Sequence, residues 1–475
     1  MYREIASTDH SLRPYQQRAK EEIFAAWDEH SSIMFQMPTG TGKTRLFTSI
    51  IRDIKIWNIT HQLSEKILII AHRVELIEQI SDSLQHYGIA HGLIIGGKPR
   101  DLSKQVQVAS IQTITHHSNA TAAQDLPVGF VIIDEAHHSM ARSYQRLWQM
   151  YPDSLKLGVT ATPWRMNGEG FTTLYDCLIP SAPISRFIQE GWLAPYSYYS
   201  IAPNDHLHES ISRINEFDAE GDYKVSALER TVDTLSIRAQ LLKNYLALAK
   251  GRKGIIYAIS RKHSEHICSE FRAAGVNIVR IDSFTSRNER RLQVSRFKQG
   301  LIDVIVNVDI FSEGFDCPDI EFIQLARPTR SLAKYLQQVG RGLRPTTGKR
   351  KCIILDNVGA HLSFGFPDSE HDWQESFIGS SNEPRSHKHS ESLHPIVYTE
   401  PDETLKEEGN EEMLLVEDLA LPERPSLDSH SWTDTDLQLL RLLHVERHCP
   451  ASVIAPVFGC TEEEIREVIL SMNGE

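Results

Sequence analysis

The chain has 475 residues, of which 40% are hydrophobic and 24% charged, the composition of a folded protein with two or three separate cores. No apolar run is long enough to span a membrane, and the first residues lack the apolar stretch of a signal peptide, so we expect a cytoplasmic protein without membrane contact. Six cysteines without a CxxC pair predict free thiols in a reducing compartment.

The acidic residues are concentrated near the end of the chain. The net charge is −13, but residues 366–475 hold 7 basic and 25 acidic side chains, while residues 1–365 hold 43 and 38. The net charge of the whole chain argues against a polyanion as partner. The mildly basic larger part is instead compatible with nucleic acid bound in a local groove.

The first half of the chain alternates apolar segments with helical patterns. This alternation predicts a parallel sheet with helices on both faces, whose ligands bind at the carboxyl ends of the strands. Polar clusters follow the apolar segments, so we expect these clusters at one shared edge of the sheet. The apolar segments lie at residues 33–35, 66–71, 106–109, 130–133 and 157–159.

The polar cluster after the first strand, Pro-Thr-Gly-Thr-Gly-Lys-Thr at residues 38–44, predicts a phosphate-binding loop. Its glycines let several backbone N–H groups point at one anion, and the helix that follows adds its positive end. Lys43 and Thr44 can reach the outer phosphates and a magnesium ion, although Met37 replaces the first glycine of the strict pattern. Gln16 could pair with an adenine edge through its amide, or could simply be a surface residue. The expected nucleotide contacts are Gln16, Thr39, Gly40, Thr41, Gly42, Lys43 and Thr44.

Two acidic residues, Asp134 and Glu135, follow the strand at 130–133. Asp134 would hold magnesium, while Glu135 would orient and deprotonate the water that attacks a nucleotide. An acidic strand end without a catalytic role is the alternative. His137 and His138 could be metal ligands, but adjacent histidines point in different directions and no further ligands complete a site. We therefore expect them to couple a nucleotide site to a nucleic-acid site.

In order and spacing, these residues resemble the first domain of superfamily 2 helicases of the DEAD/DEAH-box class. The style of the motifs is most similar to type III restriction subunits and RadD-like bacterial helicases. The matching segments are residues 12–16, 38–44, 71–73, 110–113, 134–137 and 160–163. The resemblance implies that Lys43 and Thr44 bind phosphates and magnesium and that Glu135 is the catalytic base. It also implies coupling through His137, Thr160 and Thr162.

The same resemblance places Arg73 and Thr113 along the phosphate backbone of a bound strand. For Arg73 the alternative is a solvated helix start. Residues 164–240 interrupt the alternation of apolar segments and helical patterns and contain an aromatic segment. These aromatic side chains could stack on bases, but a sealed domain junction is expected instead. They are Trp192, Tyr196, Tyr198 and Tyr199.

From residue 254 the alternation of strands and helices returns and predicts a second parallel sheet. A later helix places Arg341 and Arg344 three residues apart on one face. Two planar, always charged donors are what stabilisation of a phosphoryl-transfer transition state requires, although structural salt bridges are the alternative. This half resembles motifs IV, V and VI of a second RecA-like helicase domain. The resemblance implies arginine fingers at Arg341 and Arg344, nucleotide contacts at Gly314 and Asp316, a nucleic-acid contact at Asn307 and coupling through Gln337.

The acidic tail differs in composition from the rest. Residues 366–430 are rich in Ser, Pro, Asp and Glu, which predicts a flexible linker, with a short docking segment near 413–416. Residues 431–475 predict a small helical unit similar to a helix-turn-helix. Its last helix begins with three glutamates, a poor surface for phosphates, so a protein partner is favoured over DNA.

The predicted fold class is α/β, with two tandem RecA-like domains at 1–185 and 241–365, a junction at 186–240, a linker at 366–430 and an all-α module at 431–475. The predicted protein is a helicase or translocase that uses ATP and Mg²⁺ and acts on nucleic acid, DNA rather than RNA. Two alternatives remain: a duplex translocase that does not separate strands, and an ATP-gated adaptor in a DNA repair or phage-defence assembly.

Overall fold

The computed structural model describes residues 2–116, 126–201, 206–309 and 317–379, the backbone of 414–418, and residues 466, 468 and 469. The predicted nucleotide contacts Gly314 and Asp316 lie outside these residues, as does nearly all of the predicted helical module at 431–475. Within the described ranges no helix is both long enough and apolar enough to cross a membrane.

The first domain is built on a seven-stranded sheet in which every strand runs parallel to its neighbours. The strands are β1 (Ser32–Gln36), β2 (Lys66–Ala71), β3 (His91–Ile94), β4 (Val106–Ser110), β5 (Val128–Asp134), β6 (Leu155–Thr160) and β7 (Cys177–Pro180). Their order is β3-β4-β2-β5-β6-β1-β7. Strands covered on both faces need apolar side chains on both, which is why β2 is a continuous apolar run.

Helices cover both faces of this sheet, as the two packed clusters of buried side chains show. Ile67 and Ile69 of β2 belong to one cluster, while Leu68 and Ile70 belong to the other. The helices are α1 (Pro14–Ala26), α2 (Lys43–Thr60), α3 (Val74–His86), α4 (Ile111–Ile114), α5 (Arg142–Met150) and α6 (Ile184–Gln189).

The register of the central strands determines which residues meet at the carboxyl edge. Gln36, which precedes the phosphate loop, pairs with Thr160 of β6, and Asp134 of β5 pairs with Val159 of the same strand. The polar clusters that begin at Gln36, Asp134 and Thr160 span more than 100 residues of sequence, and the pairing of the strands places all three at one edge of the sheet. The predicted placement of these clusters is confirmed.

The second domain is built on a seven-stranded sheet that is parallel apart from one edge strand. The strands are β8 (Tyr196–Ser200), β9 (Gly254–Tyr257), β10 (Ile278–Ile281), β11 (Val304–Asn307), β12 (Phe322–Leu325), β13 (Cys352–Asp356) and β14 (Leu414–Asp418). Their order is β10-β11-β9-β12-β13-β8-β14. The predicted fold class of two parallel-sheet, RecA-like domains is confirmed.

Helices of this domain are α7 (His206–Ser212), α8 (Val225–Val232), α9 (Leu235–Leu248), α10 (Arg261–Ala273), α11 (Arg287–Lys298), α12 (Leu332–Gly342), α13 (Ala360–Phe364) and α14 (Trp373–Ile378). Several begin with a serine or threonine whose side-chain oxygen accepts a backbone N–H. Ser286 caps α11 and Ser331 caps α12 in this way. These caps set where α11 and α12 begin.

The predicted junction at 186–240 contributes a strand of the second sheet. Residues 196–200 form β8, which pairs with β13 throughout its length. Tyr198 is fully buried and its hydroxyl donates to Asp356 Oδ2 at 2.9 Å. Base stacking by Tyr196 or Tyr198 is therefore wrong for this structure, since both rings fill the core. The boundary was misplaced because one strand of five residues does not show the alternation of strands and helices.

The start of the predicted flexible linker is also folded, because residues 373–378 form α14. Phe377 is 2% exposed, and its carbonyl accepts the N–H of Phe171 from the first domain at 2.8 Å. The strand β14 pairs antiparallel with β8, in the region where a short docking segment was expected. In the sequence, both α14 and β14 are marked by apolar residues within an otherwise acidic stretch.

Candidate functional site

The phosphate loop connects β1 to α2 and depends on two glycines with positive φ. Gly40 has φ +90° and Gly42 has φ +89°, a region in which other residues are strained. Met37, at the irregular first position, is fully buried and its N–H donates to Thr160 O at 2.9 Å. A side chain that packs in the core replaces the first glycine of the pattern, so the turn itself is preserved. Lys43 Nζ folds back and donates to Met37 O at 3.2 Å.

Gln16 lies beside the loop and supports it. Its Nε2 donates to Thr41 O at 3.0 Å and to Gly42 O at 3.2 Å, and its Oε1 accepts the N–H of Arg13 at 2.9 Å. A Cβ atom at Gly42 would lie 2.6 Å from Nε2, so this contact needs glycine there. Both amide donors are used on the loop, and pairing with adenine would require one of these bonds to be exchanged. The adenine contact stays a prediction.

Tyr15 also supports the loop, a role that the sequence prediction missed. Its hydroxyl donates to Thr41 O at 2.8 Å and accepts from Arg13 Nη1 at 2.9 Å. Trp192 packs edge-on against Tyr15, with ring centroids 5.5 Å apart, and Arg13 lies 5.0 Å from the indole centroid. The expected role of Trp192 in closing a junction agrees with this packing. The position of Tyr15 next to Gln16 was the signal that could have identified it.

Asp134 and Glu135 end the strand β5 in an unusual backbone conformation. Glu135 has φ 52° and ψ 51°, a left-handed conformation that costs a non-glycine residue about 1–3 kcal/mol. Its backbone N–H donates to Asp134 Oδ1 at 3.0 Å, which fixes the Asp134 carboxylate relative to the backbone of Glu135. Both side chains are largely buried. Strain of this kind is retained where it positions a functional group.

A chain of polar contacts links Glu135 to the residues predicted for coupling. His137 Nδ1 lies 3.4 Å from Glu135 Oε2 and 3.0 Å from Thr160 Oγ1. Thr160 Oγ1 also accepts the N–H of Thr162 at 3.2 Å. From the second domain, Gln337 Nε2 donates to Glu135 Oε2 at 3.5 Å. The structure thus joins all four predicted coupling residues in one series of polar contacts, in which His137 and Gln337 contact the Glu135 carboxylate and Thr160 and Thr162 follow behind His137.

Gly340 of α12 packs against the phosphate loop. A Cβ atom at Gly340 would lie 2.9 Å from Thr39 Cβ, and one at Gly40 would lie 3.1 Å from Arg344 Cγ. A larger residue at position 340 would require Thr39 or α12 to shift, whereas one at position 40 would require the Arg344 side chain to give way by a few tenths of an ångström and would strain the backbone at φ +90°. Arg341, one residue further along α12, is only 5% exposed. Close backbone packing therefore holds Arg341 and Arg344 beside the loop.

The charges around Lys43 are balanced in favour of an anion. Burial is the main cause that lowers the pKa of Lys43; Glu135 and Asp134 raise it, whereas Arg341 and Arg344 lower it further. Three cationic groups thus face two carboxylates in one partly buried site. An anionic ligand such as a polyphosphate would relieve the repulsion among the cations and raise the pKa of Lys43. Thr44 and Asp134 carry the oxygen ligands that Mg²⁺ prefers.

The predicted nucleic-acid contacts lie apart from this site. Arg73, the residue before α3, donates from Nη1 to the carbonyl of Asp309 in the second domain at 3.1 Å. Thr113 Oγ1 accepts the N–H of Gly96 at 3.1 Å. Asn307 ends β11 and is 1% exposed, so its side chain has no open surface in this conformation. The buried position does not support a direct contact by Asn307.

The sequence matches two family descriptions. They are "Type III restriction enzyme, res subunit" over residues 9–165 and "Helicase conserved C-terminal domain" over residues 237–346. The boundaries of the two matches enclose the phosphate loop and Glu135 in the first and Arg341 and Arg344 in the second. Between them, the two matches cover both sides of the site described above.

Proteins of similar sequence align with about three quarters of this chain. A 51.5 kDa protein of a Lactococcus phage is 34% identical over 346 residues, which cover 73% of this chain and 70% of the phage protein. A protein of Saccharomyces cerevisiae that is named "Putative ATP-dependent helicase IRC3" is 28% identical over 363 residues, which cover 74% of this chain and 52% of the yeast protein. This chain therefore spans about half the length of the yeast protein.

A solved fragment from Vibrio vulnificus, described as "a putative HsdR subunit of a type I restriction enzyme", has a similar fold. The TM-score is 0.60 at 22% identity, and the match covers 78% of this chain and 68% of the fragment. At that identity the likeness shows the fold alone.

Proposed function

The chain belongs to the superfamily 2 helicases, in the branch that carries the res-subunit domain of type III restriction enzymes, and on that premise we propose that it couples ATP hydrolysis to movement along DNA. The observation that carries the proposal is the junction of α12 with the phosphate loop. It completes one anion site from two domains. A site that requires both domains turns over only when they are together.

Each group at the junction has a task that follows from its chemistry. The loop N–H groups and Lys43 bind the phosphates, and Glu135 orients the attacking water and accepts its proton. Arg341 and Arg344 stabilise the charge that develops as the terminal phosphoryl group is transferred. Thr44 and Asp134 would hold Mg²⁺, which neutralises phosphate charge when it is bound.

Gln337 makes catalysis depend on the relative position of the domains. Its amide contacts the same carboxylate oxygen of Glu135 that lies near His137. Movement of the second domain would remove Gln337, Arg341 and Arg344 from the loop together, since all three lie on or next to α12. Alternating closure and opening by this route converts hydrolysis into steps along a strand. Arg73 and Thr113 are proposed to contact the phosphate backbone of that strand.

The proposal is tested with Lys43→Ala. We expect DNA-stimulated phosphate release to fall by at least about 100-fold, because the variant loses a cation at the phosphates. Lys55→Ala is the matched control, since Lys55 lies further along α2 and away from the loop. DNA-stimulated release by Lys43→Ala at the rate of Lys55→Ala would refute the proposed site.

The movement itself is measured with two substrates. Displacement of a third strand from a triplex reports translocation on duplex DNA, and displacement of one strand from a tailed duplex reports strand separation. Activity on either substrate that requires ATP supports movement along DNA. ATP hydrolysis without activity on either one would contradict it.

A further inference from the structure

The segment between α7 and α8 contains a compact loop, which we call the junction loop (residues 216–224). An antiparallel bridge joins Phe217 to Tyr223 across the loop. The Asp218 carboxylate accepts the N–H of Asp222 at 3.0 Å, and the N–H of Asp218 donates to the carbonyl of Asp222 at 2.8 Å. These internal bonds give the loop a defined conformation of its own.

Asp222 connects the junction loop to the start of α12. Its side chain is 1% exposed, and both of its carboxylate oxygens accept hydrogen bonds. Oδ1 accepts the N–H of Arg330 at 2.8 Å, and Oδ2 accepts the hydroxyl of Thr329 at 2.9 Å. Lys334 Nζ, from the first turn of α12, donates to Oδ2 at 2.9 Å. One buried carboxylate thus holds both the residues that lead into α12 and the first turn of the helix.

The charge of Asp222 is retained although the side chain is buried. Burial by itself would raise the pKa of Asp222, but Lys334 and the N–H of Arg330 lower it below its ordinary value. Asp222 is therefore ionised at neutral pH. A buried ion pair resists separation, because the charge that is left behind has neither water nor a partner to compensate it. The contact is thus firmer than an ion pair on the surface.

The face of α12 that Asp222 holds is the face that carries the site residues. Gln337 and Arg341 follow Lys334 by three and seven residues, so the three side chains share one side of the helix. Gln337 Nε2 donates to Glu135 Oε2 at 3.5 Å, and Arg341 is 5% exposed. At a rise of about 1.5 Å per residue, Arg341 lies about 10 Å further along the axis than Lys334. Asp222 therefore holds the site-bearing face about two turns before Arg341.

Apolar packing near the start of α12 defines its position less sharply than these bonds do. Leu332, Leu336 and Val339 are buried in the core and keep the helix on the sheet. Apolar contacts have no preferred direction, whereas hydrogen bonds restrict both distance and angle. The bonds of Asp222 therefore limit rotation of α12 about its axis and sliding along it.

We propose that Asp222 is a positioning residue for ATP hydrolysis, which holds the start of α12 so that Gln337 and Arg341 meet the part of the site in the first domain. The inference rests on the proposed function, since it uses the roles that Gln337 and Arg341 have there. Asp222 lies between the two segments that match family descriptions, residues 9–165 and 237–346. It adds a residue of the junction loop to the groups on which turnover depends.

The proposal is tested with Asp222→Asn, in which either orientation of the amide turns its NH2 group toward a donor. We expect the kcat for DNA-stimulated ATP hydrolysis to fall about 10-fold, because a small displacement of Arg341 lowers the rate. The KM for ATP should stay within about 2-fold, because the phosphate loop is unchanged. Glu216→Gln is the matched control, since Glu216 lies in the same loop and pairs with Arg230 of α8. A kcat of Asp222→Asn equal to that of Glu216→Gln would overturn the inference.

Lys334→Met removes the same ion pair from the side of α12 and decides the test if Asp222→Asn does not fold. We expect kcat to fall by about 3- to 10-fold with little change in the KM for ATP. Circular dichroism and thermal melting show whether each variant is folded. Wild-type kcat in folded Lys334→Met would also overturn the inference.

A third measurement separates positioning from a general loss of structure. The substitution Asp222→Asn is added to Gln337→Ala/Arg341→Ala, and the rate is measured in single turnovers with excess enzyme. If Asp222 acts through Gln337 and Arg341, the added substitution should lower the remaining rate by less than about 2-fold. The same 10-fold decrease in both backgrounds would overturn the inference.

Failure of this inference can be distinguished from failure of the proposed function. If Lys43→Ala and Arg341→Ala hydrolyse ATP at the wild-type rate, the site on which the proposed function rests fails. If both lose turnover while Asp222→Asn and Lys334→Met behave like Glu216→Gln, only the positioning role of Asp222 fails.

Discussion

The two domains contact each other in two places, one by close packing and one by ion pairs. At the nucleotide site, α12 approaches the phosphate loop so closely that Gly340 and Gly40 cannot carry a Cβ atom without movement. Between α3 and α11 the contact consists of partly exposed ion pairs. Close packing is specific for geometry and little affected by salt, whereas exposed ion pairs tolerate movement and weaken as salt is added.

The difference suits the two tasks. Under the proposed function, hydrolysis needs Arg341 and Glu135 held to within fractions of an ångström, and the close-packed, buried contact of α12 with the phosphate loop meets that requirement. The contact between α3 and α11 is charged and partly exposed, so it opens at lower cost when the two domains move apart.

The largest effect is expected from a substitution that removes the proposed catalytic base and leaves the contact between α12 and the phosphate loop intact. Glu135→Gln preserves the size of the side chain and a group that can contact Gln337, but it removes the base, so ATP turnover should fall by about 1,000-fold. ATP binding should remain within a few-fold of the wild type, as measured by equilibrium binding of a fluorescent analogue. A loss of ATP binding as large as the loss of turnover would show that Glu135 serves the junction rather than the chemistry.

A smaller effect is expected from a substitution that disturbs the contact between α12 and the phosphate loop and leaves Glu135 in place. Gly340→Ala would place a Cβ atom 2.9 Å from Thr39 Cβ and push α12 away, so turnover should fall by about 10- to 100-fold. In Gly96→Ala, the nearest atom to the added Cβ would be 3.7 Å away, an ordinary contact, so it is the matched control. The DNA affinity of Gly340→Ala at low salt should equal that of the wild type; a loss of affinity would show that the two contacts are not independent.

The last prediction concerns the stability of the fold in acid rather than turnover, and it is independent of the two contacts between the domains. His263 lies fully buried in α10, and burial lowers its pKa from 6.5 to about 4. Between those values the unfolded chain binds a proton that the folded chain does not. The stability of the folded chain is therefore complete above pH 6.5 and falls by about 3 kcal/mol as the pH approaches 4.

The acid effect is measured as the free energy of unfolding of the wild type and His263→Gln from pH 7 to pH 4.5. The variant should lose less stability over this range, even if it is less stable at pH 7 because the N–H of Ile259 donates to His263 Nδ1 at 3.3 Å. Equal slopes in the two proteins would assign the acid sensitivity to other groups, including the α3 carboxylates.

The central site was largely predictable because its residues follow strands of a parallel sheet. Asp134 and Thr160 come directly after apolar segments, and Lys43 follows another through the phosphate loop; parallel strands place their carboxyl ends at one edge. The left-handed conformation of Glu135 and the use of both Gln16 donors on the loop were not predictable, since both depend on the local backbone. The boundaries failed at β8 and α14, short elements whose partners are distant in sequence.

The sequence by itself determined the fold class, the phosphate loop and the two residue sets that flank it, because apolar periodicity and the spacing of charged residues are local properties of a chain. Only the tertiary structure decided which surfaces of the two domains meet. It placed Gly340 against Thr39, joined Gln337 to Glu135 and set the arginines of α11 against Glu75 and Glu78. Those contacts join residues about 200 to 300 positions apart, and their distances arise from the packing of whole sheets and helices.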